Sequence, residues 1–152
     1  MFSKRNAKRP QGSLRPFLWV GLAVSFQAQA LCTDGRRPSL DAEFAQSDAV
    51  AIGVATGQRY LRDANDPEGY IAVSYDLRLE RVFKGDVRGR IVVRSENTSS
   101  RFPMTRGERY LLFLTKDGQW FFVDNCGHSD ALSKVERSTL ERIAELRKKG
   151  RE

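Results

Sequence analysis

The chain has 152 residues, and its 26 basic side chains outnumber its 19 acidic ones, for a formal net charge of +7. Five of the basic residues lie within the first 16 positions, so residues 31–152 carry 21 basic and 19 acidic side chains, a net charge of +2. General nucleic-acid binding depends on a strongly basic surface, which this balance does not provide. We therefore expect no nucleic-acid partner, and the length suits one domain with a single core.

The first 30 residues have the pattern of a secretory signal peptide. A basic segment precedes the apolar run Phe17–Phe26, and the small-residue pattern Ala28-x-Ala30 follows it. The run meets polar residues before it reaches the ~18–20 residues that a membrane-spanning helix needs. We expect cleavage after Ala30, a mature domain of residues 31–152 without a membrane anchor, and a secreted or periplasmic location.

The chain has two cysteines, Cys32 and Cys126. In an exported protein an even pair favours a disulfide over two free thiols. Closing a loop of this length stabilises a fold by about 4 to 5 kcal/mol in the chain-entropy account. The sequence therefore predicts a Cys32–Cys126 bond that holds the new N-terminus to the end of the last strand.

Hydrophobic periodicity predicts a short helix followed by five strands. Ser39 has the character of an N-cap, and Leu40 and Phe44 lie four residues apart on one helical face. Alternating or continuous apolar runs predict strands at 49–61, 71–83, 91–93, 110–114 and 120–123. The last two form a hairpin through the turn Asp117-Gly118.

The segment after the fifth strand predicts a closing helix. Ser133 and Glu136 have the spacing of a capping box, and the helix is expected to end before Gly150. No helix separates the fourth and fifth strands, which argues against a doubly wound parallel sheet. The sequence favours a mainly β domain with flanking helices, in which five antiparallel strands form a small Greek-key barrel, open or closed.

Little in the sequence indicates catalysis. His128 is the single histidine, and we predict a surface or capping role for it. An enzyme would need His128 to converge with Asp130 and a nucleophile in one pocket. No His-x-x-x-His or Cys-x-x-Cys spacing is present, so we predict no catalytic residue, no metal site and no cofactor. Asp76 and Glu80 share a strand face and are expected to form surface ion pairs.

The aromatic run at 120–122 has two interpretations. Core packing is the simpler one, because strand alternation exposes only part of such a run. Alternatively, Trp120 lies on a ligand-binding face and stacks on a sugar or base. In that alternative the protein is a barrel that holds an envelope glycan or another polymer, with help from the arginines Arg78, Arg94 and Arg109.

Five short segments carry a family resemblance. They are Cys32, Ser39–Val54, Leu79–Asp86, Gly107–Leu114 and Cys126-Gly127. In this order they resemble the bacterial proteins related to tissue inhibitors of metalloproteinases, which belong to the netrin-like group of secreted modules. The resemblance covers most of residues 32–132. It implies a five-stranded barrel of the oligonucleotide/oligosaccharide-binding (OB) type with flanking helices.

The resemblance also implies a contact edge at the mature N-terminus. In the animal inhibitors the first cysteine chelates the zinc of the target through its amino group and carbonyl, and the next side chain enters the specificity pocket. The matching positions are Cys32 and Thr33, but Leu31 precedes them after the expected cleavage, and Asp34 stands where the family has a second cysteine. We therefore expect a non-catalytic binding or inhibitor-like module that contacts another exported or envelope protein through Leu31, Cys32 and Thr33.

Overall fold

The computed structural model describes residues 37–66 and 68–150. These residues confirm a mainly β domain with two α-helices. In chain order the elements are α1 (Leu40–Gln46), β1 (Ala49–Arg62), β2 (Tyr70–Lys84), β3 (Arg90–Glu96), β4 (Arg109–Asp117), β5 (Trp120–Val123), β6 (Asp130–Ala131), a 3-10 helix (Leu132–Lys134) and α2 (Arg137–Lys149).

Five of these strands form a closed ring. They are hydrogen-bonded in the order β1-β2-β3-β5-β4, and β4 pairs again with β1 from Ala49↔Leu114 to Val54↔Arg109. Neighbouring strands run antiparallel except β3 and β5, whose contact at Val93 and Phe121 is parallel. The expectation of an entirely antiparallel set is wrong at this contact. Strand directions cannot alternate all the way around a ring with an odd number of members, so one neighbouring pair must be parallel.

Strand β4 separates two apolar clusters. Its residues 110–114 are all buried, which confirms the prediction of a strand covered on both faces. Leu112 and Leu114 join an inner cluster with side chains of β1, β2 and β3. Leu111 and Phe113 point the other way, into an outer cluster with residues of both helices. The helices therefore cover one side of the ring and leave other parts of its outer face open.

Helix α1 begins as expected, whereas α2 does not. The N–H of Ala42 donates to Ser39 Oγ at 3.2 Å, which confirms Ser39 as the N-cap. The predicted capping box at Ser133 is wrong, since Ser133 lies in the 3-10 helix and α2 begins only at Arg137. The reason is that Ala131 still pairs with β4, so the chain first has to turn away from the sheet.

Two predictions concern residues that the structure does not describe. The leader, residues 1–30, and the contact edge at 31–33 both lie outside the described ranges, so they stay predictions. Within the described ranges, no helix combines the length and the apolar character that crossing a bilayer requires.

Candidate functional site

The turn after β5, residues 124–129, is fixed to α1 by a single carboxylate. Glu43 is 9% exposed, and its two oxygens accept the backbone N–H of His128 at 3.0 and 2.8 Å. The ring Nδ1 of His128 lies 2.5 Å from Glu43 Oε2. A carboxylate this deeply buried needs several hydrogen-bond donors, and this one has them. We refer to this turn, with Glu43, as the clamped turn.

Gly127 lies where three segments of the chain meet. A Cβ atom at this position would collide with the carboxylate of Glu43, so a side chain there would displace this carboxylate from its position beside His128. On its other side, the carbonyl of Gly127 accepts a 2.8 Å hydrogen bond from Arg37 Nε. The segment that leads into α1 therefore lies on the clamped turn.

Cys126 belongs to the same turn. Its backbone N–H donates to Asp124 Oδ1 at 2.8 Å, which shapes the turn locally. The predicted bond to Cys32 stays a prediction, because Cys32 lies outside the described residues. Arg37 follows Cys32 by five positions. Its contact with Gly127 brings the chain near the clamped turn shortly after the predicted contact edge.

Of the two roles predicted for His128, surface or capping, the surface role is wrong. Its side chain is only 19% exposed and is paired with Glu43. Ser129 Oγ is buried and accepts the N–H of Phe113 at 2.9 Å, whereas Asp130 Oδ1 accepts the N–H of Ala131 at 2.7 Å. These three neighbouring side chains thus have three separate partners. They do not form the nucleophile, base and acid arrangement that a triad requires.

A second polar region lies on the outer face of β2 and β3. Asp76 and Val92 are direct cross-strand partners, and they alternate with Tyr75, Leu77 and Val93 of the inner cluster. They therefore point away from the core. Together with the β4–β5 hairpin this face forms a groove of about 640 Å³, within the usual range for small-molecule sites.

The predicted ligand-face aromatic, Trp120, lines this groove. It is half-buried and lines the groove together with Gln119, Asp76 and Arg90. Phe121 also lines the groove, but it packs against the inner cluster. Trp120 is thus placed where a ligand could contact it. Its role in binding stays a prediction.

Arginines cluster around the groove. Arg78 lies directly opposite Arg90, and Ser74 lies directly opposite Arg94. Arg59, from β1, approaches Asp76 with its Nη2 at 3.9 Å from Oδ1. Sequence reasoning named Arg78 and Arg94 but missed Arg59 and Arg90, because the register between strands cannot be read from one strand's periodicity.

The carboxylates on this face form the ion pairs expected of them. Glu80 Oε2 accepts a 2.8 Å bond from Arg109 Nε, and its other oxygen lies 3.6 Å from Arg78 Nη2. Asp76 pairs only loosely, with Arg59. Arg109 is therefore occupied by Glu80.

Two further findings concern metal-ligating groups in the described residues and the comparison with known proteins. No group of three or more His, Cys, Asp or Glu side chains there is arranged to hold a metal ion. A comparison of the chain with protein-family models finds no match, and a search of curated proteins finds none either.

Proposed function

We propose that the protein is an exported, non-catalytic binding module that acts by contact with another exported or envelope protein. Its contact ridge consists of Leu31, Cys32 and Thr33 next to the clamped turn. The observation that carries this proposal is the 2.8 Å hydrogen bond from Arg37 to the carbonyl of Gly127. This bond brings the lead-in segment to the turn that holds Cys126, as a Cys32–Cys126 disulfide requires.

Rigidity of the clamped turn supports a binding role. Glu43 accepts donors from the backbone and the ring of His128, so the turn is held on one side by α1. A surface that is already ordered before binding loses less conformational freedom when a partner docks. The predicted disulfide would extend this order to the ridge.

The proposed fold type is a Greek-key barrel of the OB type. The ring order β1-β2-β3-β5-β4, closed by the second contact between β1 and β4, supports it. The segments that resemble relatives of tissue inhibitors of metalloproteinases are consistent with the same type. The proposed ridge corresponds to the inhibitory edge of those proteins.

We propose contact without zinc chelation. The animal inhibitors chelate zinc through the free amino group of their first cysteine. In this chain Leu31 precedes Cys32, so the nitrogen of Cys32 is part of a peptide bond and is no longer a free amine. N-terminal sequencing of the exported protein, with inhibition assays against a panel of zinc proteases, tests this. We expect Leu31 at the N-terminus and no inhibition. A chain that begins at Cys32 and inhibits at stoichiometric concentration would make the protein an inhibitor instead.

Contact at the ridge is tested by site-specific photo-crosslinking in the exporting cell. A photoreactive residue at Thr33 should yield a discrete cross-linked protein, whereas the same residue at the exposed Ser138 on α2 should not. Arg37→Gln removes the contact between the lead-in segment and the turn without altering either cysteine. It should weaken the Thr33 product while leaving the thermal unfolding profile nearly unchanged. Equal products from Thr33 and Ser138, or none from Thr33, would refute the ridge.

A further inference from the structure

We propose that the groove between the β2–β3 face and the β4–β5 hairpin is a second binding site, and that its ligand is an anionic carbohydrate polymer. The site is remote in sequence from the ridge and uses different residues. Trp120 offers the face of an indole, on which the apolar C–H face of a sugar ring packs. The amide of Gln119 and the carboxylate of Asp76 line the same opening and suit the hydroxyl groups of a sugar.

The charges around the groove favour an anion. Arg78 and Arg90 are direct cross-strand partners, and like charges in this relation repel each other. Arg78 has a carboxylate within 3.6 Å, in Glu80, but Glu80 is shared with Arg109. Arg90 has no ion pair within the described residues. A bound carboxylate would offset this repulsion, and the planar guanidinium group binds carboxylates through two parallel hydrogen bonds.

A carbohydrate fits this site better than a nucleic acid. Proteins that hold single-stranded nucleic acid present several stacking aromatics along a continuous basic groove. Here Phe121 is committed to the inner cluster, which leaves Trp120 as the platform. Asp76 lies in the groove, where its carboxylate accepts hydrogen bonds from sugar hydroxyls.

The fluorescence of Trp120 provides a direct measurement. The chain has two tryptophans, Trp19 in the predicted leader and Trp120 in the groove. A Trp19→Phe background therefore makes Trp120 the sole tryptophan, whether or not the leader is removed. The exported protein is titrated with oligogalacturonate, with its methyl ester, and with a single-stranded oligonucleotide of the same charge. The methyl ester keeps the sugar ring and removes the charge.

We expect oligogalacturonate to shift the emission of Trp120 and to bind at least about tenfold more tightly than the other two probes. Arg90→Gln should weaken binding by about tenfold, because it removes an exposed guanidinium group from the groove. Arg137→Gln makes the same change in charge on α2, away from the groove, and should leave the affinity unchanged. Thermal unfolding of both variants serves as the control for folding.

Three results would overturn the proposal. Equal affinity for the ester would remove the anionic requirement, and tighter binding of the oligonucleotide would assign the groove to nucleic acid. The absence of binding by oligogalacturonate, with the fold intact, would end the carbohydrate assignment. None of these results bears on the ridge, which is tested separately at Thr33.

Discussion

The clamped turn and the β2–β3 groove are both rich in polar side chains, but they differ in how those side chains are paired. In the clamped turn, Glu43 and Ser129 are buried and each accepts hydrogen bonds from the backbone. On the groove face, Ser74 and Arg94 carry buried polar atoms with no partner within the described residues. Paired buried groups fix a shape, whereas unpaired ones raise the free energy of the folded state until something else pairs them.

This contrast indicates different roles for the two regions. The clamped turn orders the segment on which the proposed ridge depends, so substitutions there should cost stability. The polar atoms of Ser74 and Arg94 on the groove face make no hydrogen bond within the described residues, so polar substitutions there should affect stability less than substitutions in the clamped turn. Measurements of the free energy of unfolding can test this division, and the expected effects fall in order of size.

The largest loss is expected for Gly127→Ala. The new Cβ would meet the carboxylate of Glu43, and separating the two breaks its bonds to His128. Forced repacking of this kind should lower the free energy of unfolding by about 3 kcal/mol. Gly89→Ala is the matched control, since Gly89 has a φ of +66° but no atom near its Cβ position. It should cost about 1 kcal/mol, from backbone strain alone.

Urea unfolding of both alanine variants measures these losses. A loss at Gly127 no larger than that at Gly89 would mean that the turn relaxes away from α1 without cost. In that case the clamped turn is not rigid, and the argument for an ordered ridge fails.

The next contrast compares two buried serines. Ser129→Ala leaves the buried N–H of Phe113 without its acceptor and should cost about 2 kcal/mol. Ser74→Ala removes a hydroxyl that has no partner and should change the stability by less than about 0.5 kcal/mol, or increase it. Chemical denaturation of the two variants compares them directly. Equal losses would show that Ser74 has a hydrogen-bond partner in solution.

The smallest effect concerns an exposed contact between the helices. Arg142 donates to both carboxylate oxygens of Asp41, with Nε to Oδ1 at 3.0 Å and Nη2 to Oδ2 at 2.5 Å. These hydrogen bonds lower the pKa of Asp41 below its ordinary value of 3.8. A carboxyl group whose pKa is lowered on folding stabilises the protein above the unfolded pKa, and this contribution disappears as the pH falls through the folded value.

Asp41→Asn should therefore reduce stability slightly at neutral pH and leave it nearly unchanged below the folded pKa of Asp41. Urea unfolding at neutral pH and at a pH far enough below 3.8 to protonate Asp41 in the folded state measures the difference between the variant and the wild-type chain. Asp117→Asn, at the end of β4 in an exposed position, serves as the control. A loss that is the same at both pH values would mean that the contact does not depend on the charge of Asp41.

The main elements could be predicted because their signals are local. The continuous apolar run at 110–114 specifies a strand buried on both faces, and Asp117-Gly118 specifies the hairpin, with Gly118 at a φ of +58°. Ser39 could be recognised as an N-cap because its hydrogen bond spans only three residues. The start of α2 was predicted wrongly because pairing of Ala131 with β4 competes with the local capping signal.

By itself, the sequence determined the five main strands and the approximate positions of both α-helices, since periodicity and turn chemistry act between neighbours in the chain. Only the tertiary structure decided which polar residues meet. Glu43 and His128 are separated by 85 positions, and the pairing of Arg78 with Arg90 depends on the register between β2 and β3. Ring closure fixes these contacts by bringing distant segments together, and no local pattern encodes the partner of a side chain that lies so far along the chain.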